Sequence, residues 1–267
     1  MKRILILLIG LSLFSCNQKQ KESKEISKDQ TDEVLVEPTT PEETEFYEPV
    51  PPTVNPTGQN GVPSDAIVLF DGTSLEEWVR SKDKAEATWI LNEQEKSMIV
   101  HRADDSINAT IQTKKKFGSV QLHLEWKSPE HIKGDGQNRG NSGVFLQGKY
   151  EVQILDNNDN DTYVNGQVGS VYKQSVPLAK ASVPTGEWNT YDIIYHAPEF
   201  NDEGEKTKSA TITVMHNGVL VQDHFEIKGT TEYIGWPKNK PHGKGPIVLQ
   251  DHDSPVSYRN IWVREIK

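Results

Sequence analysis

The chain has a single cysteine, Cys16, among 267 residues, so neither a disulfide framework nor a thiolate zinc site can be assembled from it. It also lacks basic excess: 29 Lys and Arg stand against 39 Asp and Glu, a formal charge of −10, and the cationic surface that phosphate backbones require is missing. Nucleic acid is therefore excluded as the expected partner. No apolar run approaches the roughly 18 residues of a spanning helix, which excludes a polytopic membrane protein. Amphipathic helical periodicity of useful length is absent, and no internal repeat is visible.

What is present begins with Lys2 and Arg3 ahead of a largely apolar run over 4–14 that stops at Ser15-Cys16. This pattern predicts a signal peptide over 1–15. Leu13-Phe14-Ser15-Cys16 resembles a bacterial lipobox, which would make Cys16 the lipid-bearing first residue of the mature chain and place the protein in the cell envelope, anchored to a membrane. An ordinary secretory signal with an incidental cysteine is the other reading, and both imply export. Residues 16–63 are rich in Lys, Glu, Ser, Thr and Pro, with Pro38, Pro41, Pro49, Pro51, Pro52 and Pro56 interrupting any period, and read as a disordered tether.

Residues 64–267 hold all six Trp and all eight His. Val120, Leu122, Leu124 and Trp126 alternate with Ser119, Gln121, His123 and Glu125, the period of a half-buried antiparallel strand. Similar runs occur at 67–70, 143–147, 150–155, 191–196, 210–216, 219–227 and 258–266. Asn217-Gly218 predicts a two-residue hairpin turn, since both central positions of a type I′ turn need positive φ. The expected fold is all-β, an antiparallel two-sheet jelly-roll sandwich.

Seven ordered motifs then carry a resemblance. Leu69-Phe70-Asp71-Gly72-Thr73-Ser74-Leu75 with Trp78, Leu124-Glu125-Trp126, Arg139-Gly140-Asn141-Ser142-Gly143-Val144, Tyr150-Glu151-Val152-Gln153-Ile154-Leu155-Asp156, Gly186-Glu187-Trp188-Asn189-Thr190, His216-Asn217-Gly218, and Leu249-Gln250-Asp251-His252 through Arg259-Asn260-Ile261 follow one another. Together they resemble the 3-keto-disaccharide hydrolase domain family, over essentially all of 64–267. Ser119-Val120 stands where many relatives have Asp-Phe. The resemblance implies a concanavalin A-like jelly roll of the lectin and glucanase type, and an enzyme that cleaves oxidised glycosides.

A ketone at carbon 3 acidifies the hydrogen on carbon 2, so that chemistry needs a base, an enolate stabiliser and an acid for the leaving oxygen. Glu151 and Gln153 share a strand face and Asp156 follows at its exit, a spacing similar to the Glu-x-Asp-x-x-Glu strand of laminarinase-type glucanases with Gln153 in place of the middle carboxylate. The expected catalytic set is Glu151, His252 and Asp156; a solvated polar edge is the other reading of that strand. His252 near the last strand suits proton transfer, with a salt-bridged surface group or a metal ligand as alternatives. A divalent ion held by Asp251, His252 and Asp253 is a possible cofactor. Arg139, Asn141 and Gln250 are expected to bind substrate with Gln153, and Tyr172 and Trp188 to stack on sugar or to lie in the core. Glu125, opposite the core Trp126, is expected on the concave face. The polar run 157–161 reads as a solvated loop without the EF-hand pattern. A non-catalytic glycan-binding lipoprotein is the rival to the enzyme, since the jelly roll suits both.

Replacing Cys16 by Ala tests the anchor: the exported protein should partition into the soluble fraction, and unchanged membrane partitioning would reject lipidation.

Overall fold

The computed structural model describes residues 37–104 and 106–267. The leader over 1–15 and the anchor Cys16 lie outside the described residues. The chain divides into a unit ending at Pro52 and a compact unit from Thr53 to Lys267. Within the first, Pro41–Thr44 form a 3-10 turn with every residue exposed. The compact unit thus starts ahead of the boundary at 64 read from composition, because Asn55 and Ser64 are joined by two hydrogen bonds, Ser64 N–H to Asn55 O and Asn55 N–H to Ser64 Oγ, each 3.0 Å.

Its strands in chain order are β1 (Ile67–Phe70), β2 (Trp78–Arg80), β3 (Ile90–Asn92), β4 (Ser97–Ile99), β5 (Ile111–Thr113), β6 (Val120–Lys127), β7 (Ser142–Leu146) and β8 (Tyr150–Ile154). Then come β9 (Asn189–His196), β10 (Glu199–Phe200), β11 (Lys206–Lys208), β12 (Thr211–His216), β13 (Val219–Glu226), β14 (Val248–Leu249) and β15 (Ser257–Glu265). A larger antiparallel sheet runs β13-β12-β9-β6-β15-β4-β3, with β1 also on β15. A smaller one runs β2-β5-β14-β7-β8, and β10 and β11 pair as a ribbon. Among the described residues no helix is long and apolar enough to cross a membrane.

Alternation explains the layering. On β6 the apolar set Val120, Leu122, Leu124 and Trp126 is fully buried while Gln121, His123 and Glu125 are half-exposed. On β8 Tyr150, Val152 and Ile154 enter the same core, which leaves Glu151 and Gln153 on the opposite face. The inner faces of the two sheets meet in one apolar cluster, the expected sandwich. Trp78 and Trp89 are accommodated there because their indole N–H groups donate to Leu69 O and Ala109 O, both at 2.8 Å.

The β12–β13 hairpin turns at Asn217 and Gly218, both at positive φ (52° and 78°), as a type I′ turn requires. The eight runs expected from alternation all form strands. Seven further strands of two or three residues are too short for a period to show, and each is held by its neighbours' register instead.

Neighbouring isoleucines on β9 test this layering, for Ile193 is fully buried and Ile194 is 45% exposed. Ile193→Ala should cost about 3 kcal/mol in chemical denaturation. Ile194→Thr should stay within roughly 0.5 kcal/mol.

Candidate active site

The outward face of the smaller sheet carries a cleft of about 460 Å³. Its floor follows from cross-strand register. Phe145 lies opposite Glu151 and Gly143 opposite Gln153, while Gln250, just past β14, donates its N–H to Gly143 O at 3.0 Å. β8 is the edge of its sheet, and segment 169–172 closes that edge: Gln153 N–H donates to Ser170 O, Gly169 N–H to Gln153 O and Tyr172 N–H to Glu151 O. Closing the edge brings Tyr172 and Lys173 over the cleft beside Tyr163.

Hydroxyls from the core aromatics fix the floor from below. Tyr191 donates to Gln153 O at 2.7 Å. Ser142 Oγ, 2.6 Å from Tyr258 Oη, donates to Gln250 O at 2.6 Å. One wall is a carboxamide cluster. Gln153 Nε2 donates to Asn141 Oδ1 and Gln137 Oε1, Asn141 Nδ2 donates to Gln137 O, and Gln137 Nε2 donates to Thr162 Oγ1 and Gly166 O. Gln250 Oε1 is buried with no hydrogen-bond partner among the described residues. A buried amide oxygen left unpaired is costly unless a ligand satisfies it.

Glu151 is the ionisable group at the centre. It is 5% exposed, and among the described residues its carboxyl makes no hydrogen bond or ion pair. Burial raises its pKa from 4.5 to about 8, because removing the carboxylate from water penalises the charged form with no cation to offset it. The carboxyl reaches across β7, where only a glycine leaves room: a Cβ on Gly143 would collide with Glu151 Oε1. Tyr163 and Tyr172 share a 2.6 Å hydroxyl contact nearby, and burial raises the pKa of both phenols. Lys173 lies over the Tyr233 ring at 4.6 Å and donates to Tyr233 O at 2.6 Å, so its charge is engaged away from Glu151. Lys173 itself has φ 58°, a left-handed conformation that is strained for a lysine. His252 completes the cleft from the loop before β15 and is exposed.

The structure therefore brings together Glu151, Gln153, Asn141, Gln250, Tyr172 and His252. It does not bring the other four expected residues there. Glu125 is on the larger sheet, on the face opposite its core residues, paired with Arg259 at 2.6 Å and accepting from Asn260 at 2.9 Å. The strand alternation that buries Trp126 turns Glu125 outward on the far side of the sandwich, so the concave-face expectation is corrected. Trp188 stacks on the same Arg259 at 4.0 Å, with Lys127 5.0 Å from its ring. Arg139 and Asp156 pair with each other at 3.4 Å outside the cleft, and Asp156 Oδ1 also accepts Asn158 N–H, which makes Asp156 a loop brace rather than a partner of Glu151 or His252.

The run 157–161 is also corrected, for Asn157 and Asn160 are buried. Asn160 bonds Gly136 N–H, Gly136 O and Asp156 O, and Asn157 accepts Val168 N–H. Asp251 and Asp253 both pair with Arg102, and no group of three metal-ligating side chains occurs among the described residues. The donor set imagined around His252 is thus spent on a guanidinium. Sequence reading missed Gln137, Tyr163, Lys173, Thr231 and Tyr233. Only Tyr233 left a signal, in the apolar cluster Tyr233-Ile234-Gly235-Trp236-Pro237 within a polar stretch.

Residues 65–264 match the 3-keto-alpha-glucoside-1,2-lyase-like domain. A crystal structure from Parabacteroides distasonis ATCC 8503, described as that of a "putative glycosyl hydrolase", is 52% identical over 85% of this chain and 97% of its own, with a TM-score of 0.79. Two further structures with the same description and source are 19% and 21% identical, covering 76% and 75% of this chain and 94% and 99% of theirs, with TM-scores of 0.55 and 0.50. At that identity they show a shared fold alone. No curated protein sequence matches.

Linkage gives a test of the buried carboxyl. With its pKa raised in the fold, Glu151 contributes stability below about pH 4.5 that is lost as pH rises toward 8, because the unfolded chain ionises first. Glu151→Gln removes that loss. Denaturation curves should show the variant gaining on the parent through this window and leading by about 3 kcal/mol at pH 7. A gap that does not grow with pH would mean the carboxyl ionises freely.

Proposed function

The chain belongs to the 3-keto-alpha-glucoside-1,2-lyase-like domain family, and from that premise we propose that it cleaves 3-keto-glucosides, 3-keto-disaccharides included, by elimination across carbons 1 and 2 followed by hydration. A role on glycosides is supported by the family and by its 52% identical neighbour. The observation that carries the finer reading is that Glu151 is the one carboxyl among the described residues lining the cleft, and that burial raises its pKa to about 8. Direct displacement at carbon 1 takes two carboxyl groups flanking the bond. An elimination takes one acid, one base and donors for an enolate.

In this reading the carboxamides of Gln137, Asn141, Gln153 and Gln250 bind the ring hydroxyls. His252 removes the proton from carbon 2, and the electron pair of that C–H bond moves onto the carbon 3 carbonyl as an enolate. The Tyr163–Tyr172 pair retains one O–H proton beyond the one shared between the phenols, and this serves as donor to the enolate oxygen. The pair of electrons then returns to form a carbon 1 to carbon 2 double bond as the bond from carbon 1 to the leaving oxygen breaks, and Glu151 gives that oxygen its proton. Water adds across the double bond, hydroxyl to carbon 1 and hydrogen to carbon 2. A lectin has no use for a carboxyl held protonated at this cost, which favours the enzyme over a glycan-binding module. A lipid on Cys16 would hold this activity at the cell envelope.

Turnover of a 3-keto-glucoside by the purified protein tests the reading. Glu151→Gln and His252→Ala should each lower it by ~10²-fold or more, the usual weight of a positioned acid or base. In D₂O the released 3-keto sugar should carry deuterium at carbon 2; activity without that label would favour direct displacement. As the acid, Glu151 should impose a fall in kcat/KM above about pH 8, and that limb should vanish in Glu151→Gln.

A further inference from the structure

Three large apolar side chains stand in water within four residues of each other: Tyr233 is 74% exposed, Ile234 83% and Trp236 88%. Such a cluster on a surface marks a contact site. The turn that carries it is tied down at its base. Thr230 N–H donates to Lys238 O at 2.9 Å, Glu232 pairs with Lys238 at 3.2 Å, and a Cβ on Gly229 would meet Lys238 O at 2.7 Å, so the two ends close tightly. Thr231 connects it to the catalytic strand, donating its N–H to Lys149 O and accepting Glu151 N–H on Oγ1 at 3.0 Å. The tip is therefore presented at a fixed place relative to Glu151.

Beneath the tip lies a second cavity of about 310 Å³, lined by Trp236 and Pro237, which shares Tyr163, Tyr172 and Lys173 with the cleft. Those three residues border both hollows. Their chemistry differs. The cleft offers carboxamides, among them the orphan Gln250 oxygen, whereas most polar groups of the second cavity are already engaged within the protein. Gln174 bonds Gly229 O and Lys228 N–H, Glu232 bonds Thr230 and Lys238, and Lys173 bonds Tyr233 O. What remains free there is chiefly aromatic face.

We propose that the Tyr233–Trp236 turn and the cavity beneath it form a subsite for the leaving group of the glycoside, and that it favours a flat aryl group over a second sugar. The inference rests on the functional reading above for the position of the scissile bond. A sugar in this subsite would bury hydroxyls with few partners, while an aryl ring needs only a face to stack on.

The test compares phenyl 3-keto-glucoside, methyl 3-keto-glucoside and a 3-keto-disaccharide on the parent and on Trp236→Ala, whose exposed ring supports no core. The ratio of KM for the phenyl over the methyl substrate should rise about tenfold in the variant, the weight of one aromatic stacking contact. An unchanged ratio would overturn the subsite while leaving the functional reading intact. A larger effect on the disaccharide than on the phenyl substrate would overturn the aryl class. If the parent turns over none of the three, the functional reading fails, and the subsite is then decided by titration with phenyl glucoside: a fluorescence quench lost in Trp236→Ala supports it, and no difference rejects it. A parent that sediments as a dimer and a variant that does not would assign the tip to a second copy of the chain and overturn the proposal.

Discussion

A carboxyl group kept out of water with no cation beside it is the constraint around which the smaller sheet is arranged. Glu151 holds that position because its strand alternates: the same pleat that sends Tyr150 and Val152 into the core sends Glu151 to the outward face. On an ordinary sheet that face would be wet. Here segment 169–172 closes the edge, Tyr172 and Tyr163 stand over it, and Gly143 leaves space for the carboxyl to lie flat on the neighbouring strand. The result is a carboxyl whose pKa desolvation raises to about 8, at a folding cost that the apolar core between the sheets must offset.

The opposite face of the molecule shows what the same residue types do without that constraint. Glu125 accepts from Arg259 and Asn260, Arg259 lies on Trp188, and His123 contacts Asp192 at 2.7 Å while stacking on Trp262. Each charge has its counterpart. The Arg102 pairs with Asp251 and Asp253 and the Arg139 pair with Asp156 follow the same pattern, bracing loops at the cleft's margin. Satisfied clusters stabilise a surface. In the cleft, by contrast, the Glu151 carboxyl and the Gln250 oxygen have no hydrogen-bond partner among the described residues.

How legible all this is depends on range. Period-two runs such as Val120 to Trp126 determined the long strands, because alternation is a local consequence of the pleat, and Asn217-Gly218 determined its hairpin because only such residues tolerate positive φ in succession. The strands of two or three residues, β14 among them, carry no period and exist because neighbours supply their hydrogen bonds. The same holds for side chains: alternation alone puts Glu151 and Gln153 on one face, whereas it cannot tell Glu125 from them, because the sheet to which β6 belongs is set by long-range pairing.

The sequence by itself thus determined the sandwich, the face of β8 that holds Glu151 and Gln153, and the family motifs in their order. Tertiary structure decided which polar residues meet. Glu151 and His252 lie about a hundred residues apart in the chain and reach one cleft through the β7–β14 pairing, while Tyr163, Lys173 and Tyr233 arrive on loops whose paths no local pattern encodes. It also raised the pKa of Glu151, since a pKa is a property of what surrounds a group, and desolvation is assembled from segments remote in sequence.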